Sequence, residues 1–383
     1  MEAPAPQPPS PDSRDGAQEG MLLPIPDPAE SARLLAGIGS PPEAPGSRPG
    51  EAPFRSGFVA LIGRPNVGKS TLLNQLVGRK VAITSPVAQT TRNRLRAILT
   101  TEAAQLVLLD TPGIHKPHHL LGQRLVQSAR GAIGEVDLVL LLVDASQPAG
   151  RGDAFIADLL RHASIPVQVA LNKWDRIDPA QADALLATYR DLTLPPAAAG
   201  PLGGSSSPAR ESGAEPAGAP AGGAAGRVQP LLWPLHRVSA LTGEGCAALV
   251  QALSAALPPG PCLYPPEAVS DQPEQLLLAE LIREQVLQHT REEVPHSVAV
   301  QIERIVEDGP RTAVLATVLV ERDSQKGILI GKGGRMLRTI GQGARLQMQK
   351  VIDGPVYLEL FVKVVPGWRS HPGRLAELGY RGD

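Results

Sequence analysis

The chain has 383 residues, with 37 Lys and Arg against 38 Asp and Glu and a formal net charge of −1. That balance excludes a whole-chain attraction to nucleic acid, so any such partner needs a local basic surface. Two cysteines, Cys246 and Cys262, are too few for a disulfide framework and read as small buried fillers in a reducing cytosol. No apolar run reaches membrane-spanning length, and the Pro-rich, acidic start does not read as a secretory signal. The length suggests about two or three domains.

Residues 1–53 are rich in Pro, Ala, Ser and Gly. They bury too little apolar surface to offset ordering entropy and are predicted to form a disordered tail. From 54 to 262 the pattern alternates strand and helix. The apolar run Phe58-Val59-Ala60-Leu61-Ile62 predicts a buried strand, and Thr71 to Val77 a helix. Between them lies Gly63-Arg64-Pro65-Asn66-Val67-Gly68-Lys69-Ser70, with the spacing G-x-x-x-x-G-K-S of a phosphate-binding loop. Its glycines let backbone N–H groups fold around phosphate oxygens, and the helix opening at Ser70 and Thr71 adds its positive dipole end. Lys69 is expected to reach the β/γ-phosphates and Ser70 to ligate Mg²⁺. A chance glycine-rich turn would lack the flanking strand and helix.

Further strands are predicted over Arg94 to Leu99, Gln105 to Leu109, Val136 to Val143, Val167 to Leu171 and Arg237-Val238. Helices are predicted over Leu120 to Ile133, Phe155 to His162 and Glu244 to Ala256. The result is an α/β domain with a mostly parallel, doubly wound sheet, whose ligands belong at the carboxyl ends of its strands. Residues 195–226 hold only Leu202, Arg210, Glu211 and Glu215 outside Ala, Gly, Pro and Ser. They are predicted to be a disordered insertion.

Three further motifs fall at strand ends. Asp110-Thr111-Pro112-Gly113 offers a carboxylate for Mg²⁺ and a Gly113 N–H for the γ-phosphate, whose loss would release the loop. Asn172-Lys173-Trp174-Asp175 offers Asp175 to guanine N1–H and the N2 amino group, donors that adenine lacks at those positions, so a buried carboxylate there disfavours ATP chemistry. Lys173 is expected to pack on the base and brace the phosphate loop. Ser239-Ala240-Leu241 can present a backbone N–H to guanine O6. Gln89-Thr90-Thr91-Arg92 supplies a threonine to complete Mg²⁺ coordination, Thr91 ahead of Thr90. Ile114 follows Gly113 and cannot orient a water, which predicts slow intrinsic hydrolysis. His115, Lys116, His118 and His119 read as a solvated loop and not a metal cluster.

Residues 263–383 form a second, α+β domain. An amphipathic helix over Glu274 to Thr290 is followed by paired strands Ser297 to Val306 and Thr312 to Glu321. The loop Gly331-Lys332-Gly333-Gly334 then sits between Ile330 and a helix running to about Val351, with a last strand over Val356 to Val364. A G-x-x-G turn lets backbone clamp a nucleic-acid strand. Lys326, Lys332, Arg335, Arg338, Arg345 and Lys350 supply a local basic face. Helix, strand, strand, helix, helix, strand is the order of a KH domain.

Taken together, Gly63 to Ser70, Gln89 to Arg92, Asp110 to Pro117, Asn172 to Asp175, Ser239-Ala240, Ile330 to Gly334 and the ending Trp368 to Tyr380 resemble the Era GTPases over most of residues 54–383. The resemblance implies a P-loop GTPase domain followed by a type II KH domain. It implies GTP and GDP as ligands, Mg²⁺ as cofactor, and binding to the 3′ end of 16S ribosomal RNA in assembly of the 30S subunit. Catalytic roles fall to Lys69, Thr91 and Asn66, metal ligation to Ser70, Thr91 and Asp110. Relatives with Asn at the position of Asn66 use K⁺ beside the phosphates, a role carried here to Asn66. A cytoplasmic monomer is expected. Similar proteins also make peripheral contact with the inner face of the cell membrane, although the sequence carries no distinct amphipathic anchor. The long tail and the insertion depart from the family pattern, outside its motifs.

Overall fold

Runs of Val, Leu and Ala with few charges make strands that bury both faces, as in the central strands of the six-stranded first sheet, whereas its short last strand Leu235-His236-Arg237 is only part-buried. In chain order the elements are β1 (Arg55–Ile62), α1 (Lys69–Val77), β2 (Leu95–Thr100), β3 (Ala104–Asp110), β4 (Leu138–Asp144), α2 (Arg151–Arg161), β5 (Val167–Asn172), α3 (Ala182–Thr193), β6 (Leu235–Arg237) and α4 (Cys246–Ala256). The computed structural model describes residues 53–85, 91–92, 95–113, 127, 131–163, 165–193, 233–352 and 354–378. The predicted tail (apart from Pro53), the insertion and most of the helix expected over Leu120 to Ile133 lie outside them. The described residues belong to one compact unit, Pro42–Asp383.

The sheet runs β2-β3-β1-β4-β5-β6 and is parallel except for β2, which pairs antiparallel with β3. Side chains of β1 alternate between two cores. Val59 and Leu61 join Leu72 and Leu73 of α1 and Leu249 and Leu253 of α4. Ala60 and Ile62 join Ile156 and Leu160 of α2 and Leu186 and Tyr189 of α3. Helices on both faces explain why the strands read as continuous apolar runs. Because β1 sits between β3 and β4, the order reverses at its carboxyl end, where a crevice opens.

The strand expected at Arg237-Val238 is Leu235–Arg237, and the helix expected from Glu244 starts at Cys246 after a left-handed Gly245. Helix α3 was not signalled by any motif. It packs Leu185, Leu186, Tyr189 and Leu192 inward, and the Tyr189 hydroxyl donates to Asp144 O at 2.8 Å and Gln147 O at 2.9 Å.

The second part follows as α5 (Glu274–His289), α6 (Val294–Ser297), β7 (Ala299–Asp308), β8 (Arg311–Val320), α7 (Asp323–Ile330), α8 (Arg335–Met348), β9 (Val356–Val364) and α9 (Pro372–Glu377). Its sheet runs β7-β8-β9, with β8 antiparallel to β7 and parallel to β9. Ile340, Ala344 and Met348 of α8 recur at helical spacing and pack with Val314, Ala316 and Val318 of β8. Trp368 is fully buried against Ala299, Leu319 and Leu375, and its indole N–H donates to Ser297 O at 3.0 Å.

Helix α5 differs from its expected amphipathic form. Every residue from Leu278 to Leu287, apart from the half-buried Glu280, is buried, Arg283, Glu284 and Gln285 included. The reason is that α5 is covered twice. One side meets α8, so closely that a Cβ on Gly343 would stand 2.0 Å from Gln285 Oε1. The other side meets the first part, where the Lys80 ammonium donates to Glu284.

Candidate functional site

The loop after β1 takes the backbone path its glycines permit. Gly68 has φ +101°, and a Cβ there would lie 2.4 Å from Asn172 Nδ2. Only glycine accommodates both the left-handed turn and that neighbour. Asn66 is also left-handed, at φ 64°. Asn172, at the end of β5, donates to Val67 O at 2.7 Å and accepts from Ala240 N at 2.9 Å. One amide thus ties the phosphate loop to the Ser239-Ala240 loop. Arg64 pairs with Asp153 of α2 at 2.7 Å.

Lys69 and Ser70 open α1 and are buried. The Lys69 ammonium donates to Gly63 O at 3.0 Å and Arg64 O at 3.1 Å. Burial lowers its pKa to about 8, with the Asp110 charge pulling the other way. Asp110 ends β3 and is fully buried. Its Oδ2 accepts from Ser70 Oγ at 2.7 Å and Thr91 Oγ1 at 2.9 Å, and the two hydroxyl oxygens are 3.0 Å apart. Burial pushes the Asp110 carboxyl up, opposed by Lys69, Ser70 and Thr91. Its Oδ1 is buried with no hydrogen-bond partner among the described residues. A buried, unpaired carboxylate oxygen beside two hydroxyls fits a hard cation that keeps several waters, as Mg²⁺ does. The structure therefore brings Ser70, Thr91 and Asp110 together. Gln89, Thr90, Ile114 and the histidines after it lie outside the described residues.

Thr111 donates to Leu61 O at 2.7 Å, fixing the start of the Asp110 to Gly113 loop against β1. Pro65, Asn66, Gly68 to Thr71, Thr91 and Gly113 line one pocket with Thr84 and Ser85. The last two were not marked by any sequence motif, because a Thr-Ser pair in a connection has no distinguishing pattern.

At the base-facing end, Asp175 Oδ1 accepts from Ser239 Oγ at 2.6 Å. The expectation of a buried carboxylate needs correction, since Asp175 is exposed on its short turn Trp174–Arg176. Lys173 also differs from expectation. Its ammonium pairs with Asp144 at the end of β4 and does not bond the phosphate loop. Burial alone would raise the Asp144 carboxyl, but the hydrogen bonds from Lys173 and Ser146 hold it below its ordinary value. Arg237 lies over the Trp174 ring, 4.9 Å from its centroid. Leu241 is 72% exposed at the mouth of the loop.

A second candidate site lies on the KH part. Gly331, Gly333 and Gly334 have φ of 67°, 62° and 74°, so three of the four residues of the G-x-x-G turn take a positive φ that favours glycine. Lys332, Gly333 and Arg335 are exposed on this loop and the first turn of α8, Lys326 is half-buried on α7, and Ile330 ends that helix. Gly334 and Arg338 line a groove of about 500 Å³ with Leu337, Gly341, Gln342, Arg345, Leu358, Glu359 and Leu360. The sequence pointed to the loop but not to the β9 wall, which begins 24 residues after Gly334 and contributes only ordinary strand residues. No group of three or more potential metal-ligating His, Cys, Asp or Glu occurs among the described residues. No described helix is long and apolar enough to cross a membrane.

Known proteins match this arrangement. Residues 58–173 match the model of the 50S ribosome-binding GTPase family, and residues 293–369 that of the KH domain. The chain is 53% identical over 346 residues to GTPase Era of Synechocystis sp., across 90% of this chain and 97% of the relative. It is 52% identical over 328 residues to GTPase Era of Rippkaea orientalis, across 86% of this chain and 93% of the relative. Two solved structures have a TM-score of 0.73 and 35% identity, covering 85% of this chain and 99% of theirs. One is Era in complex with MgGDPNP and nucleotides 1506–1542 of 16S ribosomal RNA, and the other an Aquifex aeolicus Era variant bound to GDP·AlF₄⁻. With a phosphate loop, guanine loops and a G-x-x-G groove in one chain, and that identity along nearly the whole length of its relatives, the protein belongs to the Era family of GTPases.

Proposed function

We propose that this GTPase is a slow GTP-dependent switch that binds the 3′ end of 16S ribosomal RNA in its KH groove and assists assembly of the 30S subunit. The observation that carries the RNA target is the similarity to the solved Era chain holding MgGDPNP and nucleotides 1506–1542 of 16S ribosomal RNA. The groove between α8 and β9 supports it chemically. Arg338 and Arg345 stand beside Leu337, Leu358 and Leu360, which gives charge for phosphates and apolar surface for bases.

At the nucleotide, Lys69 neutralises β/γ-phosphate charge, and Asp175 with Ser239, Ala240 and Leu241 reads guanine. Ser70, Thr91 and Asp110 hold Mg²⁺, which when bound supplies positive charge to the phosphate oxygens. Asn66, left-handed in the pocket wall, is the proposed neighbour of a K⁺ ion. A monomer is the proposed state. The proposed place of work is the cytoplasm, and peripheral contact with the inner membrane face draws its support from the family resemblance.

The test is GTP turnover with and without an RNA of the small-subunit 3′-end sequence, in K⁺ and in Na⁺. The expected result is slow turnover alone, faster with the matching RNA and faster in K⁺. Fast unassisted turnover, or equal stimulation by a scrambled RNA, would overturn the reading. Equal rates in K⁺ and Na⁺ would remove the role of Asn66.

A further inference from the structure

An ammonium has three donors, and two of those on Lys69 go to Gly63 O at 3.0 Å and Arg64 O at 3.1 Å. One is left for a phosphate, and its direction is set by where the two carbonyls stand. Gly63 is pressed against β4, where a Cβ would lie 2.3 Å from Leu142 O. Val67 O is held by Asn172 at 2.7 Å. Between these holds the loop is anchored by the Arg64 side chain, which runs to α2 and does not line the pocket.

The Arg64 Nε donates to Asp153 Oδ1 at 2.7 Å. Asp153 is 1% exposed, and its other oxygen accepts from Gly150 N at 3.0 Å, closing the first turn of α2. The carboxylate is thus fixed by its own helix as well as by the arginine. Gly152 completes the seat. A Cβ there would stand 2.5 Å from Arg64 Cδ, so the missing side chain makes room for the arginine stem. Neither Gly152 nor Asp153 belongs to a nucleotide motif. Arg64 joins two roles in one residue, since its guanidinium is anchored on α2 and its carbonyl holds Lys69. Pro65 follows it, and a residue before proline has a restricted backbone, which ties the anchor to the carbonyl. Parting the pair would leave a buried carboxylate oxygen without its charged partner, which is costly.

We propose that Asp153 is a positioning residue for the GTP site: with Gly152 it seats the Arg64 side chain, and through the Arg64 carbonyl it aims the Lys69 ammonium at the β-phosphate. Its effect falls on the phosphates and not on the base, whose proposed contacts lie at Asp175 and Ser239. The proposal rests on the reading of Lys69 as the phosphate-binding ammonium.

The test is the ratio of GDP to GMP affinity in the full chain, because GMP shares the base and lacks the β-phosphate. The natural protein is expected to prefer GDP. Asp153→Asn leaves one acceptor where the carboxylate offers two, and Arg64→Ala removes the donor. Each is expected to lower the ratio about tenfold, the lower end of what a hydrogen bond to a charged group contributes. Gly152→Ala alters neither charged group and is expected to lower the ratio in the same sense, by displacing the arginine stem. In a Lys69→Met background Asp153→Asn is expected to change the ratio no further, since both act through one chain of contacts. Arg64 is half-buried, so Arg64→Ala carries the test should Asp153→Asn fail to fold. An unchanged ratio in the variants overturns the proposal. Equal losses of GDP and GMP affinity, the mark of a merely structural role, also overturn it, as does a full effect of Asp153→Asn in the Lys69→Met background. A natural protein that binds GDP no better than GMP would sink the phosphate role of Lys69, and the role of Asp153 with it.

Discussion

Lys69 shows what burial does to the ammonium of the phosphate loop. Burial lowers its pKa in the folded chain to about 8, from its ordinary 10.5. Between those values the unfolded chain binds more protons, so this residue makes stability rise with pH from about 8 to 10.5. A phosphate beside the ammonium favours the charged form, so nucleotide binding draws a proton in. At pH 8, binding of GDP in metal-free solution is expected to take up a fraction of a proton. Calorimetric titration in two buffers of different ionisation heat measures it. A binding heat independent of the buffer would show that Lys69 is already fully charged. The identity of Lys69, Asp110 and Asp175 was legible because each sits at a fixed spacing in a short motif. The Lys173–Asp144 pair was not, because its partner comes from a different strand and only the parallel pairing of β4 with β5 brings them together.

At the scale of elements, the central strands of the first sheet were legible because both their faces are buried, as were the motif loops that follow them, whereas the part-buried last strand begins two residues before its expected start. Helix α3 was not legible, since its inward residues are scattered among Ala, Asp and Thr and no motif marks it. Helix α5 was legible as a helix but not in its burial, because the second layer over it comes from Lys80 and Thr84, about 200 residues away. Helix α8 carries the clearest division of labour, with Ile340, Ala344 and Met348 inward and Arg338 and Arg345 in the groove. Replacing Arg345 by Ala removes a charge without touching the buried face. RNA affinity is expected to fall several-fold at fixed salt, alike across sequences, and the slope of log affinity against log salt to lessen by about 0.7. An unchanged slope in the salt titration would mean that Arg345 does not meet a phosphate.

For the molecule as a whole, the two sheets are not beads on a string. Arg96 pairs with Asp271 at 2.9 Å, Arg92 caps carbonyls of the KH part, and Glu284 receives donors from the connection that follows α1. The nucleotide motifs and the G-x-x-G loop could each be read from the sequence, since each is a short local pattern, while the β9 wall of the groove and the Thr84-Ser85 side of the pocket could not. Nor could the contacts between the two parts, because their spacing in the chain is set only by the fold. The central claim is that this GTPase acts on the small-subunit RNA 3′ end. It is tested most directly by crosslinking the GTP-bound chain to cellular RNA and sequencing the protected fragments. Recovery concentrated at the 3′ end of 16S ribosomal RNA, and lost on Gly333→Asp in the G-x-x-G turn, is the predicted result. Recovery spread evenly over unrelated RNAs would contradict it.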